Sequence, residues 1–152
     1  MPDFDEVDAK LLELLQANDR LSLQELGETA GVAASTVNDR LKRLAKRGII
    51  TGHHARLDPE AVGRGLLAFL FVAWADPSVE AEFLERVKRS SSVLECHHVT
   101  GEWNYLLKVR VAGTRALESF LAETIKAVGG VTRTQTIIAL STAKETIALP
   151  IA

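Results

Sequence analysis

Residues 33–50 constrain the fold more than any other stretch, because they combine an apolar stripe of helical spacing with a dense run of cations. Val37, Leu41 and Leu44 recur at intervals that put them on one side of a helix. Five cations occupy the eight positions from 40 to 47 and lie off that stripe: Arg40, Lys42, Arg43, Lys46 and Arg47. The pattern predicts a helix at about 34–47 that packs against a small core and exposes a basic face.

The segment before this helix completes a known two-helix pattern. Ser22 and Glu25 have the spacing of a capping box, which predicts a helix from about 22 to 30. Gly31 follows it as a residue that can adopt positive φ. A capped helix, a short turn with glycine and a basic second helix are typical of the helix-turn-helix, whose second helix enters the DNA major groove.

Another helix precedes this pair in the sequence and completes a domain of three helices. Apolar residues with helical period predict a helix at about 5–17, which Asp3 or Asp5 can cap. Three helices with a shared apolar interior predict a DNA-binding domain over residues 1–52. Residues 48–52 are expected to leave the third helix as an extended wing or exit strand. Residues 53–64 are expected to form a linker, with a turn and a short helical start at Pro59.

From residue 65 onward, strands and helices alternate. Apolar runs and period-two alternation predict strands at about 66–75, 93–100, 104–111 and 131–140. Helices are expected at about 79–89 and 114–128, the second capped by Thr114. The order strand-helix-strand-strand-helix-strand predicts a ferredoxin-like βαββαβ domain over residues 65–152, so the chain is α+β with an N-terminal (winged) helix-turn-helix domain.

Two helices cover only one face of a four-stranded sheet. The first predicted strand, residues 66–75, is nevertheless apolar on both sides. A second copy of the chain is therefore expected to cover the open face, which predicts a homodimer.

The charge distribution fits a partner that is a polyanion. Residues 33–56 contain six Arg or Lys residues and one Asp, a net charge of +5, whereas the whole chain has a net charge of −2. A local basic patch suffices for nucleic-acid binding, and an acidic remainder keeps DNA away from other surfaces. The sequence contains no apolar run of membrane-spanning length, no signal-peptide pattern and one cysteine, which together predict a cytoplasmic protein without a membrane partner.

Cys96, His97 and His98 form the densest group of metal-binding residue types. On a strand, Cys96 and His98 share one face and His97 points to the other. Two ligands on one strand do not complete a site, so neither a metal nor a cofactor is predicted.

The sequence resembles the Lrp/AsnC, or feast/famine, family of prokaryotic transcriptional regulators. The motifs that carry the resemblance are S-T-V-N-D-R-L-K-R-L at 35–44, V-L-E-C-H-H-V-T-G-E-W-N-Y-L-L-K-V-R-V at 93–111 and G-G-V-T-R-T-Q-T-I-I-A-L at 129–140. The resemblance implies a sequence-specific DNA-binding regulator whose dimers assemble further, with an octamer as the expected form. It also implies a small effector, commonly an amino acid, bound between dimers.

The candidate contacts to double-stranded DNA lie on the third helix. Asn38 and Asp39 are the candidates for base edges, and Ser35 and Thr36 for phosphates. The cations complete the set: Arg40, Lys42, Arg43, Lys46 and Arg47. For Arg40 and Arg43 the alternative is an ion pair within the domain, and it applies more strongly to Arg40, which borders the buried stripe.

The candidate effector site is the turn between the second and third strands. It comprises the stretch from 100 to 105 and two hydroxyls of the fourth strand: Thr100, Gly101, Glu102, Trp103, Asn104, Tyr105, Thr134 and Thr136. Gly101 permits close approach of a ligand to backbone amides, and Glu102 offers a carboxylate to an ammonium group.

Three residues depart from the family pattern. Ala33 replaces the usual serine at the start of the third helix, Asp39 puts a carboxylate on its groove side, and Asn104 replaces the usual aspartate of the effector loop. Two alternatives remain: an enzyme similar to siroheme decarboxylases on the same two-domain plan, or an architectural DNA-binding protein without an effector.

Overall fold

The structure, a computed structural model, describes residues 4–151, and the chain divides into two units. Residues up to 55 and residues from 144 onward form the first unit, and residues 56–143 form the second. Each unit has a separate hydrophobic core.

The first unit contains the three predicted helices. They are α1 (Glu6–Ala17), α2 (Leu23–Ala30) and α3 (Ala34–Lys46). Asp5 caps α1 by accepting a hydrogen bond from the Asp8 amide at 2.9 Å, whereas Asp3, the other candidate, lies outside the described residues. Leu11, Leu26 and Val37 contribute one core residue from each helix.

The turn between α2 and α3 forms as predicted. Ser22 and Glu25 make the complete capping box at the start of α2, and Gly31 ends that helix with φ of 74°. Ala33 precedes α3 and provides no side-chain cap, so the first amides of α3 lack the acceptor that a serine supplies.

The strand expected after α3 is not formed. Residues 47–65 are all described, and within them the backbone makes turns and extended segments without any sheet ladder. The amides of Ile49 and Ile50 both donate to the Leu44 carbonyl, at 3.0 and 3.4 Å. They therefore terminate α3 and do not pair with a neighbouring strand. Near Pro59 the structure has the expected turn, without a helix.

A second segment of the first unit comes from far along the sequence. The Leu149 amide donates to the Gln16 side-chain carbonyl at 2.6 Å, and the Gln16 amide group donates back to the Leu149 carbonyl at 2.9 Å. This pair of bonds holds the segment 144–151 against the end of α1.

The second unit has the predicted order of strands and helices. Its elements are β1 (Leu66–Ala73), α4 (Val79–Arg89), β2 (Val93–His98), β3 (Tyr105–Val111), α5 (Thr114–Phe120), a π-helical continuation of α5 (Leu121–Lys126) and β4 (Arg133–Ile138). The strand order β2-β3-β1-β4, with every neighbouring pair antiparallel, is the ferredoxin-like arrangement that the sequence predicts.

β1, β2 and β4 are each shorter than predicted by two residues at one or both ends, and the cap of α5 differs from the prediction. β1 ends at Ala73, two residues early, because the next amide, that of Trp74, donates to the Asn104 side chain at 2.8 Å. Thr114 is inside α5 and does not cap it, since the Leu117 amide donates to the Gly113 carbonyl at 3.0 Å and the helix starts there.

The two faces of the sheet have different surroundings. Ala68, Leu70 and Val72 of β1 face α4 and α5 and belong to the core. The opposite face of β1 carries Phe69 and Phe71, which remain partly exposed. Register pairs Phe69 with Ile137 and Phe71 with Leu106, so these side chains form an apolar patch on the open face.

Candidate nucleic-acid interface and effector loop

α3 separates a buried back from an exposed front. Val37 and Leu44 are fully buried, and Leu41 packs beside them. The residues predicted to contact DNA lie outside this buried side of the helix. Exposed among them are Ser35, Thr36, Asp39, Lys42, Arg43, Lys46 and Arg47, whereas Asn38 and Arg40 are half-buried. The front of α3 thus combines hydroxyl, amide and carboxylate groups in its first turns with cations further along.

Arg40 lies in an ion-pair cluster with the start of α1. Its Nη1 is 2.7 Å from Asp5 Oδ2 and 2.8 Å from Asp8 Oδ1. The carboxylates of Asp5 and Asp8 raise the pKa of Arg40, and the Arg40 hydrogen bond lowers the pKa of Asp5. The ion-pair alternative for Arg40 is therefore the arrangement that the structure contains.

Arg43 shares this cluster but is more accessible. Its Nη2 donates to Asp8 Oδ2 at 2.9 Å, while its side chain stays half exposed. Asp8 itself is buried, so one internal carboxylate contacts two cations of α3. Sequence reasoning missed Asp8. The sequence signal was the position of Asp8, three residues before Leu11 and four before Leu12. This spacing puts its carboxylate on the apolar side of α1.

In the second unit, the loop between β2 and β3 is fixed by Asn104. The backbone amide of Asn104 donates to the Val72 carbonyl at 2.9 Å, and the backbone carbonyl of Asn104 accepts from the Val99 amide at 3.1 Å. The Asn104 side-chain oxygen also accepts from the Trp74 amide, and all three bonds join Asn104 to backbone groups of other residues. Gly101, at the tip of the loop, has φ of 102°, which favours glycine.

Arg133 joins the loop to the start of β4. Its guanidinium is 2.8 Å from the Glu102 carboxylate and lies 4.2 Å from the centre of the Trp103 ring. The Trp103 ring in turn lies 5.6 Å from that of Phe71. An open depression of about 440 Å³ adjoins this group and is lined by Ala73, Trp74, Ala75, Glu102, Thr132 and Arg133. Opposite charges beside an aromatic wall suit a small zwitterion.

Three predicted effector residues lie elsewhere. Tyr105 is buried, and its hydroxyl donates to Glu80 of α4 at 2.6 Å, which raises the Tyr105 pKa to about 12. Thr134 pairs with Val72 and Thr136 with Leu70, so both face the helices. Arg133 pairs with Ala73 and faces the open side. The structure thus brings Glu102 and Trp103 together with Arg133, which sequence reasoning missed, and not with Tyr105 or the two threonines.

A larger depression, of about 580 Å³, lies along α4. Its lining includes Arg86 and Arg89, which pair with Glu82 and Glu85 one helical turn earlier. Since these charges already neutralise one another on a solvent-exposed surface, the depression beside Arg133 is the stronger candidate for a ligand.

The metal-binding residue types on β2 have other contacts. Cys96 and His98 share one face and His97 lies on the other, as the strand period predicts, and the shared face is the core side. His98 stacks on Tyr105 with ring centres 4.9 Å apart, and His97 lies 3.2 Å from Glu95. Burial raises the pKa of the Cys96 thiol. Among residues 4–151, no three His, Cys, Asp or Glu side chains are grouped as metal ligands.

None of the helices in the described part of the chain combines the length and apolar character needed to span a bilayer.

Comparison with known families gives two successive matches along the chain. A profile described as winged helix-turn-helix DNA-binding matches residues 4–51, and one described as the Lrp/AsnC ligand binding domain matches residues 68–149. The first covers α1 to α3, and the second covers the sheet unit and continues into the segment that contacts Gln16.

Individual relatives match over nearly their whole length. The transcriptional regulator LrpA of Mycobacterium tuberculosis is 41% identical over 139 residues, which are 91% of each chain. A Neisseria meningitidis transcriptional regulator, solved in complex with L-methionine, is 34% identical with a TM-score of 0.92 and covers 97% of this chain and 96% of its own. A feast or famine regulatory protein of M. tuberculosis, also solved with L-methionine, is 38% identical with a TM-score of 0.88, over 97% of this chain and 99% of its own.

Proposed function

The chain belongs to the Lrp/AsnC family of DNA-binding transcriptional regulators, and from that premise we propose that α3 contacts double-stranded DNA while an amino acid binds beside the loop 99–104. The front of α3 supports the first part, because it exposes polar groups and cations over a buried apolar back. The names of the relatives favour regulation over the enzymatic alternative.

On DNA, the residues of α3 divide into two roles. Asn38 and Asp39, in the first turns, contact base edges, with Asp39 suited to accept from the cytosine amino group. Ser35 and Thr36 contact phosphates, as do the exposed cations Lys42, Arg43, Lys46 and Arg47. Residues 1–52 are the proposed DNA-binding domain, followed by a linker at 53–64 and the effector and oligomerisation domain from 65 onward.

For the effector we infer a zwitterionic amino acid held by the Glu102–Arg133 pair. Glu102 pairs with the ammonium group and Arg133 with the carboxylate, so the ligand replaces the 2.8 Å contact between the two side chains. Trp103 forms an apolar wall, and Gly101 allows the loop amides to approach the ligand. Two related regulators solved with L-methionine support this ligand class. Asn104 contributes by holding the loop through its bonds to backbone amides.

The open face of the sheet is the proposed dimer interface. Phe69, Phe71, Leu106 and Ile137 form an apolar patch there, and burying it against a second copy removes these side chains from water. Two copies bring two α3 helices to paired half-sites, which increases affinity for a symmetric operator. Assembly of dimers into an octamer follows from the family resemblance and places effector sites between dimers.

The salt dependence of DNA binding tests the proposed interface. If each dimer neutralises about six phosphates, the logarithm of the binding constant falls with a slope near −5 against the logarithm of salt concentration. Arg43→Ala is expected to weaken binding to most sequences and flatten this slope, whereas Asn38→Ala mainly relaxes sequence choice. Fluorescence anisotropy from about 50 to 200 mM salt provides the measurement. A flat wild-type slope would contradict the proposed function.

A further inference from the structure

The buried carboxylate of Asp8 connects α1 to two cations of α3. Only 1% of the Asp8 residue surface is exposed, yet each of its oxygens accepts a hydrogen bond. Arg40 donates to Oδ1 at 2.8 Å, and Arg43 donates to Oδ2 at 2.9 Å. Asp8 thus controls where both guanidinium groups lie relative to the exposed front of α3.

Arg40 is held more tightly than Arg43. Asp5 accepts from Arg40 Nη1 with both oxygens, at 2.8 and 2.7 Å, so two carboxylates surround one guanidinium. The Arg40 side chain is 21% exposed, against 51% for Arg43. The cluster of Asp5, Asp8, Arg40 and Arg43 has no net charge. Arg40 therefore adds little to the positive potential of the front.

We propose that Asp8, together with Asp5, limits the sequence-independent DNA affinity of this protein by withholding Arg40 from phosphates and fixing Arg43 at the edge of the interface. Phosphate contacts add affinity that is the same for every sequence. Withholding one cation per protomer therefore lowers the affinity for every sequence by a similar factor and leaves the base contacts of α3 unchanged, so the base contacts supply a larger share of the total binding free energy. The inference rests on the proposed docking of DNA on α3.

A merely structural role makes a different prediction. If the cluster only ties α1 to α3, then weakening it reduces stability and binding together. The number of phosphates contacted by the folded protein, and hence the salt slope, stays the same. Under the proposal, weakening the cluster makes the slope steeper.

Asp5→Asn is the first variant to test, because it preserves folding. Asn and Asp are equally good caps, so α1 keeps the hydrogen bond to the Asp8 amide. The substitution removes one of the two carboxylates on Arg40. We expect the slope to steepen by up to about 0.9 for each bound protomer, and the loss of affinity between 50 and 200 mM salt to grow by up to about 3.5-fold per protomer.

Asp8→Asn is the stronger variant, and its fold is verified by circular dichroism before binding is measured. It is expected to steepen the slope at least as much as Asp5→Asn and, at about 50 mM salt, to raise the affinity for a specific duplex and for an unselected duplex by similar factors. The specific duplex is one that the wild-type protein selects from a random library, and the unselected duplex has random sequence.

Two controls separate Arg40 from a general change in charge. The double variant Asp5→Asn/Arg40→Gln is expected to return to the wild-type slope, because the released cation is absent. Glu13→Gln makes the same charge change on α1, at a residue that pairs with Lys10, and is expected to leave the slope unchanged.

The outcomes distinguish this inference from the function on which it rests. A wild-type protein whose DNA binding does not respond to salt would overturn the proposed interface. A salt-dependent wild type with unchanged slopes in both Asp5→Asn and folded Asp8→Asn would overturn the inference alone. A steeper slope that persists in the double variant would also overturn it, since loss of carboxylate repulsion would then explain the effect.

Discussion

Replacing Asn104 by alanine is expected to destabilise the sheet unit, whereas Asn104→Asp is expected to be close to neutral. The Asn104 side-chain oxygen accepts from the Trp74 amide at 2.8 Å, at the point where β1 ends. Alanine leaves that amide without its acceptor in a partly buried position. Aspartate retains an oxygen at the same place, and a charged acceptor makes a hydrogen bond at least as strong.

The size of the effect follows from one unsatisfied amide. Leaving a partly buried donor unpaired costs about 1–2 kcal/mol. For a unit of this size, each kcal/mol shifts the melting temperature by about 4–8 °C. Asn104→Ala is therefore expected to melt roughly 4–16 °C below the wild type. Thr100→Ala, an exposed change in the same loop, is the matched control and is expected to stay within about 0.5 kcal/mol.

Differential scanning calorimetry at fixed protein concentration measures these shifts, with urea unfolding as a second determination. If Asn104→Ala melts with the wild type, the bond to Trp74 does not stabilise the loop. If Asn104→Asp loses as much stability as alanine, the side-chain NH₂ group matters and its oxygen does not. Either result would refute the structural role assigned to Asn104.

Two further predictions concern the effector and the dimer. Glu102→Gln removes the carboxylate proposed to pair with the ligand ammonium, so it is expected to abolish the thermal shift caused by the amino acid that stabilises the wild type best. The control variant Glu85→Gln on α4 is expected to keep the shift. A shift that persists in Glu102→Gln would place the ligand elsewhere. Phe69→Glu puts a charge into the apolar patch of the open face and is expected to yield monomers by light scattering at micromolar concentration. Leu23→Glu, at an exposed apolar position of α2, is expected to leave the mass unchanged, and an unchanged mass for Phe69→Glu would contradict the proposed interface.

Local patterns were sufficient to predict each helix and strand that the described residues form. Capping residues and apolar periodicity are properties of neighbouring residues, so the spans of α1, α2 and α3 agree with prediction to within a residue or two. The order of strands and helices likewise predicted the ferredoxin-like sheet. The strand expected after α3 was wrong because the Ile49 and Ile50 amides are used to end the helix, a competition that composition alone does not reveal.

The side-chain partners at both sites required the tertiary structure. The sequence marks Arg40 for an ion pair because it borders the buried stripe, but only the approach of α1 shows that Asp5 and Asp8 are its partners. The period of a strand correctly put Thr134 and Thr136 on one face. Which face it was depended on the pairing of β4 with β1, and that pairing turns Arg133 toward the loop. Sequence spacing thus identified candidates, and strand register decides which of them can meet.

The contact between Gln16 and Leu149 has a consequence for how the chain acquires its fold. These residues are 133 positions apart, and both hydrogen bonds lie in the unit that carries α3. During synthesis the three helices emerge from the ribosome first, while their last contact waits until the whole sheet unit has been translated. Closing so long a loop is entropically costly. The ordered sheet between the two residues reduces this cost because it limits the positions open to residue 149. The DNA-binding unit is thus completed only after its neighbour exists.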